Sequence, residues 1–127
     1  MGSAGDERLN SWNTIIVGTR LVFSIYGVRK GELWVTDGTP AGTLMLGDGL
    51  EGRCPPRALG RLGSLVLLQA DDRVHGCELW ATDLTPAGTR LVKDLNPSPT
   101  SWSDSSPRGF AELREVSLFF ADDGIHG

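Results

Sequence analysis

Residues 32–43 read Glu-Leu-Trp-Val-Thr-Asp-Gly-Thr-Pro-Ala-Gly-Thr, and residues 78–89 repeat them with ten of twelve positions identical. A segment copied at an offset of 46 residues marks a modular array, in which each unit buries its apolar faces against its neighbours. The copying extends beyond this block. Leu21-Val22-Phe23-Ser24 aligns with Leu67-Leu68-Gln69-Ala70 at the same offset, and Leu118-Phe119-Phe120-Ala121 follows 51 residues later. The five extra residues fall in 96–107, a stretch with three prolines and five serines that reads as an expanded loop. The chain therefore divides into an N-terminal tail (1–11), a first unit (12–56), a second unit (57–107) and a truncated third unit (108–127).

Each unit reads as four short strands. In the second they are expected at 58–62, 65–70, 78–82 and 89–95, separated by turns rich in Gly, Asp, Pro and Thr. With 17 glycines and 7 prolines, no window sustains a helical period for ten residues. Leu65-Val66-Leu67-Leu68 is apolar on consecutive residues, the pattern of a strand covered on both faces. The expected fold is all-β, with antiparallel four-stranded repeat units forming a partial β-propeller of about two and a half blades. A sandwich or a β-solenoid is the alternative; sandwich strands would alternate apolar and polar residues.

Within the motif, Asp37, Thr39, Gly42 and Thr43, and their copies Asp83, Thr85, Gly88 and Thr89, fit a repeating turn. The Asp carboxylate is expected to take backbone amides, the glycines to supply positive φ, and the threonines to satisfy remaining turn groups. Leu84 stands where the first copy has Gly38, so a strict need for positive φ is not expected there. Trp34 and Trp80 are expected to fill the space between adjacent units. Glu32 and Glu78 open the third strand and are expected to accept bonds from a neighbouring turn.

These residues resemble the ELWxxDGT repeat family of bacterial proteins. The likeness rests on residues 32–39 and 78–85, the Gly-Thr pairs at 42–43 and 88–89, and the Ala-Asp-Asp turn. It covers the chain from about residue 15 onward, with Leu84 as the main departure. The resemblance implies a propeller-like array, commonly in large exported proteins, with no defined enzymatic activity and no catalytic residues or cofactor to carry over. The chain's start has no signal-peptide pattern, so its compartment is left open.

A second set of residues could carry binding. Asp71, Asp72 and His75 recur as Asp122, Asp123 and His126, and in a propeller unit they would share one rim with the 96–107 loop. Two carboxylates and an imidazole could ligate a cation, but Asp is favoured in tight hairpins, so turn chemistry is the expectation and no metal is assigned. The first unit has Ile25, Tyr26 and Arg29 at these positions, so no ligand set repeats. Cys54 and Cys77 could face the same rim and pair, but separate thiols are the leading expectation, since neither flank gives a geometric cue. The Gly47 to Gly52 glycine pattern is followed by Cys54-Pro55-Pro56, which cannot open the helix that dinucleotide binding requires.

A net charge of −4 gives no footprint for nucleic acid, and no run is long enough to insert into a membrane. Two and a half units leave two unit faces uncovered, each with a footprint of about 300 Å². Self-association or further repeats are thus expected. The leading expectation is a non-enzymatic binding or scaffolding module for a protein or glycan ligand. The alternatives are a fragment of a carbohydrate-active propeller enzyme or a truncated product without independent function. Arg57 and Arg108, both at the start of a first strand, could be the anion clamps of such an enzyme, but arginines capping a strand end are commoner.

Overall fold

A computed structural model describes residues 8–9, 14–27, 30–50, 52, 54–97 and 104–126. Among them the regular structure is entirely strand. The first sheet holds β1 (Arg8–Leu9), β2 (Ile15–Val17), β3 (Arg20–Gly27), β4 (Lys30–Thr36) and β5 (Leu44–Gly47). The second holds β6 (Arg57–Leu62), β7 (Leu65–Asp71), β8 (Cys77–Thr82) and β9 (Arg90–Lys93), and the third β10 (Arg108–Leu113) and β11 (Val116–Phe120). All pairings are antiparallel between sequence neighbours, except that β1 and β2 both pair with β3. They do so at opposite ends of β3, so the two short strands share one edge position. Arg8 and Leu9 lie in the segment read from sequence as a tail.

The second unit matches its sequence-based strands to within a few residues, because Gly and Asp punctuate short runs of branched apolar residues. Each first hairpin turns on two residues, with positive φ at Gly18, Gly63 and Arg114. Those three positions are 45 and 51 residues apart.

The register corrects one alignment. Leu21 pairs with Thr36 and Val66 pairs with Thr82, so β3 and β7 are equivalent at an offset of 45, not 46. Val22 is thus the counterpart of Leu67, and Tyr26, rather than Ile25, is the counterpart of Asp71. The β7–β8 hairpin is one residue longer than the β3–β4 hairpin, which absorbs the difference before the copied block begins. Since side chains alternate along a strand, a one-residue slip changes which face each residue serves.

The three sheets are stacked through their faces. Val22, Leu33 and Val35 of the first sheet meet Val66, Leu68 and Ala70 of the second in one core, with Trp80 packed against it. On the opposite face of the second sheet, Leu67, Leu79 and Ala81 pack against Phe110 and Phe119 of the third. Phe110 and Phe119 stack with ring centroids 5.0 Å apart. The second and third sheets come together mainly where β6 lies against β10, and the first sheet meets β6 through β3. At Gly60 even a Cβ would come within 3.4 Å of the Phe110 Cβ.

The consecutive apolar run in β7 is covered on both faces, as its pattern implied. Val66 and Leu68 are fully buried and Leu67 is only 5% exposed. By contrast β11 alternates, because only one of its faces has a neighbour. Val116, Leu118 and Phe120 are 53%, 55% and 70% exposed and form an open apolar row. The outer face of the first sheet is open too, with Ile16 and Met45 exposed beside half-buried Phe23 and Trp34.

Candidate functional site

The copied block folds into the same turn twice. The Asp37 Oδ1 accepts the Thr39 amide at 2.9 Å and the Thr39 hydroxyl at 2.6 Å. The Thr39 hydroxyl oxygen in turn accepts the Gly42 amide at 3.0 Å, and the Thr43 hydroxyl donates to the Thr39 carbonyl at 2.6 Å. Asp83, Thr85, Gly88 and Thr89 repeat these bonds one for one. Bonds from the Thr39 and Thr85 hydroxyls hold Asp37 and Asp83 below the usual carboxylate range. Each carboxylate thus uses its Oδ1 to hold the turn.

Two expectations about this turn are corrected. Gly42 and Gly88 do not adopt positive φ; a Cβ at either would sit on the Asp37 or Asp83 carboxylate, so what matters is the missing side chain. Leu84, in contrast, does adopt positive φ (72°), as Gly38 does (93°). The strain of a left-handed leucine is offset by its burial, since Leu84 is 4% exposed and belongs to the core between the first two sheets.

Glu78 accepts its bonds from the connection that follows β9. It is fully buried, and its carboxylate accepts the amides of Leu95 (3.0 Å), Asn96 (3.3 Å) and Ser105 (3.2 Å). It thus holds both arms of the segment joining the second and third sheets. A carboxylate suits this position because both its oxygens only accept, whereas a glutamine would turn an NH2 toward an N–H. Burial pushes the Glu78 carboxyl up, partly offset by the bonds from Ser105, Leu95 and Asn96. Around it, Cys77 NH donates to Asp104 Oδ1 at 2.9 Å, and the Ser105 and Ser106 amides donate to the Cys77 carbonyl at 3.1 Å. In the first unit, Glu32 accepts Trp34 Nε1 at 2.8 Å instead.

The two cysteines are joined, correcting the expectation of separate thiols. The Cys54–Cys77 disulfide (Cα–Cα 6.0 Å) ties the linker after the first sheet to the start of β8. The same linker is held by the Gly52 amide on the Asp71 carbonyl (3.2 Å) and the Tyr26 hydroxyl on the Gly52 carbonyl (3.1 Å). Cys54 sits in a linker and Cys77 beside the copied Glu, so only the packing of that linker brings them together.

The acid and imidazole residues of the rim serve their own hairpins. Asp72 Oδ1 accepts the Val74 and His75 amides, each at 2.9 Å, and its Oδ2 lies 2.7 Å from His75 Nδ1. Asp123 and His126 repeat this with 2.7 Å between Oδ2 and Nδ1. Asp71 and Asp122 accept the amides of Arg73 and Gly124, each at 2.7 Å. Hydrogen bonding to the acid raises both histidines above their ordinary value. Burial pushes Asp72 up, but bonds from His75 and Val74 outweigh it and the net shift is downward. Asp123 is held well below the usual range by the His126 ring and nearby amides. Among the described residues no group of three or more His, Cys, Asp or Glu is placed to hold a metal ion. The turn after β11 does lie against the end of the connecting segment, since the Asp122 amide donates to the Ser105 carbonyl at 2.8 Å.

Among the described residues no helix is long and apolar enough to cross a membrane. Comparison with protein-family models, with curated proteins and with solved structures found no match to this chain.

Proposed function

We propose that the chain is a non-enzymatic, β-propeller-type repeat segment, of the kind the ELWxxDGT family resemblance implies, acting as a binding or scaffolding module. The observation that carries this reading is the second sheet, covered on both faces by sheets built from its own repeats. The approach of β6 to β10, the first strands of the second and third sheets, suits blades splayed around an axis. One oxygen of each copied-turn carboxylate is engaged by its own turn, which suits a scaffold.

The two outer faces are the two halves of the internal interface. The third sheet's open row (Val116, Leu118, Phe120) is equivalent to the face of the second sheet that the third covers. The first sheet's outer face carries Trp34, equivalent to Trp80, which packs onto the preceding sheet. Head-to-tail stacking of one open face on the other, through further repeats or a second copy, follows from that equivalence. By strand spacing and length the first sheet's face covers about 300 Å² and the two-stranded third sheet's about half that, within the range a soluble monomer exposes. The disulfide suits an oxidising compartment.

Light scattering at tens of micromolar is the test. The chain should associate, and Leu118→Glu with Phe120→Glu, both outward-facing, should weaken association without loss of fold. A well-behaved monomer, or association indifferent to these changes, contradicts the proposal.

A further inference from the structure

Between the second and third sheets the first strands border a concavity of about 350 Å³, lined among others by Arg57, Gln69, Ser106, Arg108 and Phe110. Arg57 and Arg108 hold the same register position in successive units, opposite Gln69 and Phe120 respectively. The linker and the stacking of the sheets bring them to one opening.

The chemistry of this opening differs from that of the rest of the molecule. The chain is acidic overall, at −4, yet no carboxylate is among the residues lining the concavity. Among the described residues neither arginine has an acidic partner. Arg108 is nonetheless oriented, because its Nη1 donates to the Ser106 carbonyl at 3.1 Å. The backbone around it has positive φ at Ser106 (45°) and Gly109 (67°), a conformation that costs energy at a serine. The fold therefore brings two arginines to one polar opening with no acidic partner among the described residues.

We propose that this concavity is a binding site for an oxyanion group, phosphate or sulfate, free or carried on a small sugar-sized molecule. Guanidinium supplies planar, paired donors that match the oxygens of such an anion, and Gln69 adds an amide beside them. A volume of about 350 Å³ is at the small end of ligand pockets and admits a monosaccharide-sized body behind the anionic group. The site lies within one chain between two of its own sheets, so a monomer contains it. Its test is independent of whether the outer faces associate.

Calorimetry in a low-salt chloride buffer, with inorganic phosphate, inorganic sulfate and a hexose phosphate as probes, tests the site. At least one anion should bind saturably in the millimolar range or tighter. A tighter hexose phosphate identifies the ester as the fitted form; equal affinity identifies the free oxyanion. Arg57→Ala and Arg108→Ala should each weaken binding by about tenfold or more, the scale of a lost charge-assisted hydrogen bond. Arg108→Lys should recover only part of it, having charge without paired donors. Arg61→Ala, on the same strand but outside the lining, removes equal net charge and should leave binding unchanged. No saturable binding by the folded wild-type chain, or equal losses for all three alanine variants, overturns the proposal.

Discussion

The buried Glu78 carboxylate takes the Ser105 amide at 3.2 Å across 27 residues of sequence, fastening the third sheet's connecting segment to the second sheet. The same carboxylate takes Leu95 and Asn96, so one side chain anchors both ends of that connection. Its copy Glu32 carries only the bond from Trp34 among those seen at that position.

Glu78→Gln should therefore cost about 1–3 kcal/mol, because one buried N–H loses its acceptor and faces an NH2. Glu32→Gln should cost much less, since a glutamine carbonyl still accepts the Trp34 Nε1. Equilibrium urea unfolding of both variants measures the difference; equal costs would show that the connecting segment is not held as described.

Leu84 provides a reversed ranking. Leu84→Ala should destabilise by about 2–4 kcal/mol by removing a buried side chain while keeping a Cβ at positive φ. Leu84→Gly removes the same contacts but relieves the left-handed strain, so it should be the milder change by roughly 1 kcal/mol. In ordinary extended or helical backbone glycine would be the worse of the two. Chemical denaturation of the pair decides it.

The Cys54–Cys77 bond closes a loop of 23 residues in sequence separation. By chain-entropy reasoning such a crosslink contributes about 3 kcal/mol. The melting temperature should fall on reduction, and the Cys54→Ala, Cys77→Ala double variant should melt at the reduced protein's temperature and be insensitive to reductant. Labelling of two free thiols in the untreated folded chain would contradict the linkage.

The Asp72–His75 pair gives a pH dependence of defined sign. The folded pKa of His75 lies above its ordinary 6.5, so its contribution is complete below about 6.5 and fades as pH rises through the folded value. Asp72 is lowered from 3.8, so its contribution holds above about 3.8 and is lost as pH falls through the folded value. Glu78, raised from 4.5, adds a separate loss of stability as pH rises through its own folded value. Subtracting the His75→Gln profile isolates the pair. The wild-type advantage should be largest between about pH 4 and 6.5 and shrink above it.

The all-β, antiparallel organisation was readable because the copied block carries its own punctuation. Asp37 and Asp83 open turns that Gly42 and Gly88 permit, and the Leu65–Leu68 run marks a sheet with two neighbours. What was not readable came from packing across the sheets. The offset of 45 in β3 and β7 depends on a hairpin one residue longer in the second unit, which pattern matching slides over. Leu84 breaks the glycine rule because a core lies beneath it, and no local signal shows that core. Cys54 and Cys77 meet only once the linker is laid against β8. Glu78 is expected to accept bonds from a neighbouring turn, but its actual donors lie 17 to 27 residues further along and leave no local signal.

Amide hydrogen exchange followed residue by residue tests the stacked arrangement most directly. With the second sheet between two others, the amides of Val66, Leu68, Leu79 and Ala81 should exchange slowest in the molecule, and those of β11, with one face open, considerably faster. Equal protection across the three sheets, or slowest exchange in β11, would contradict the stacking on which the rest depends.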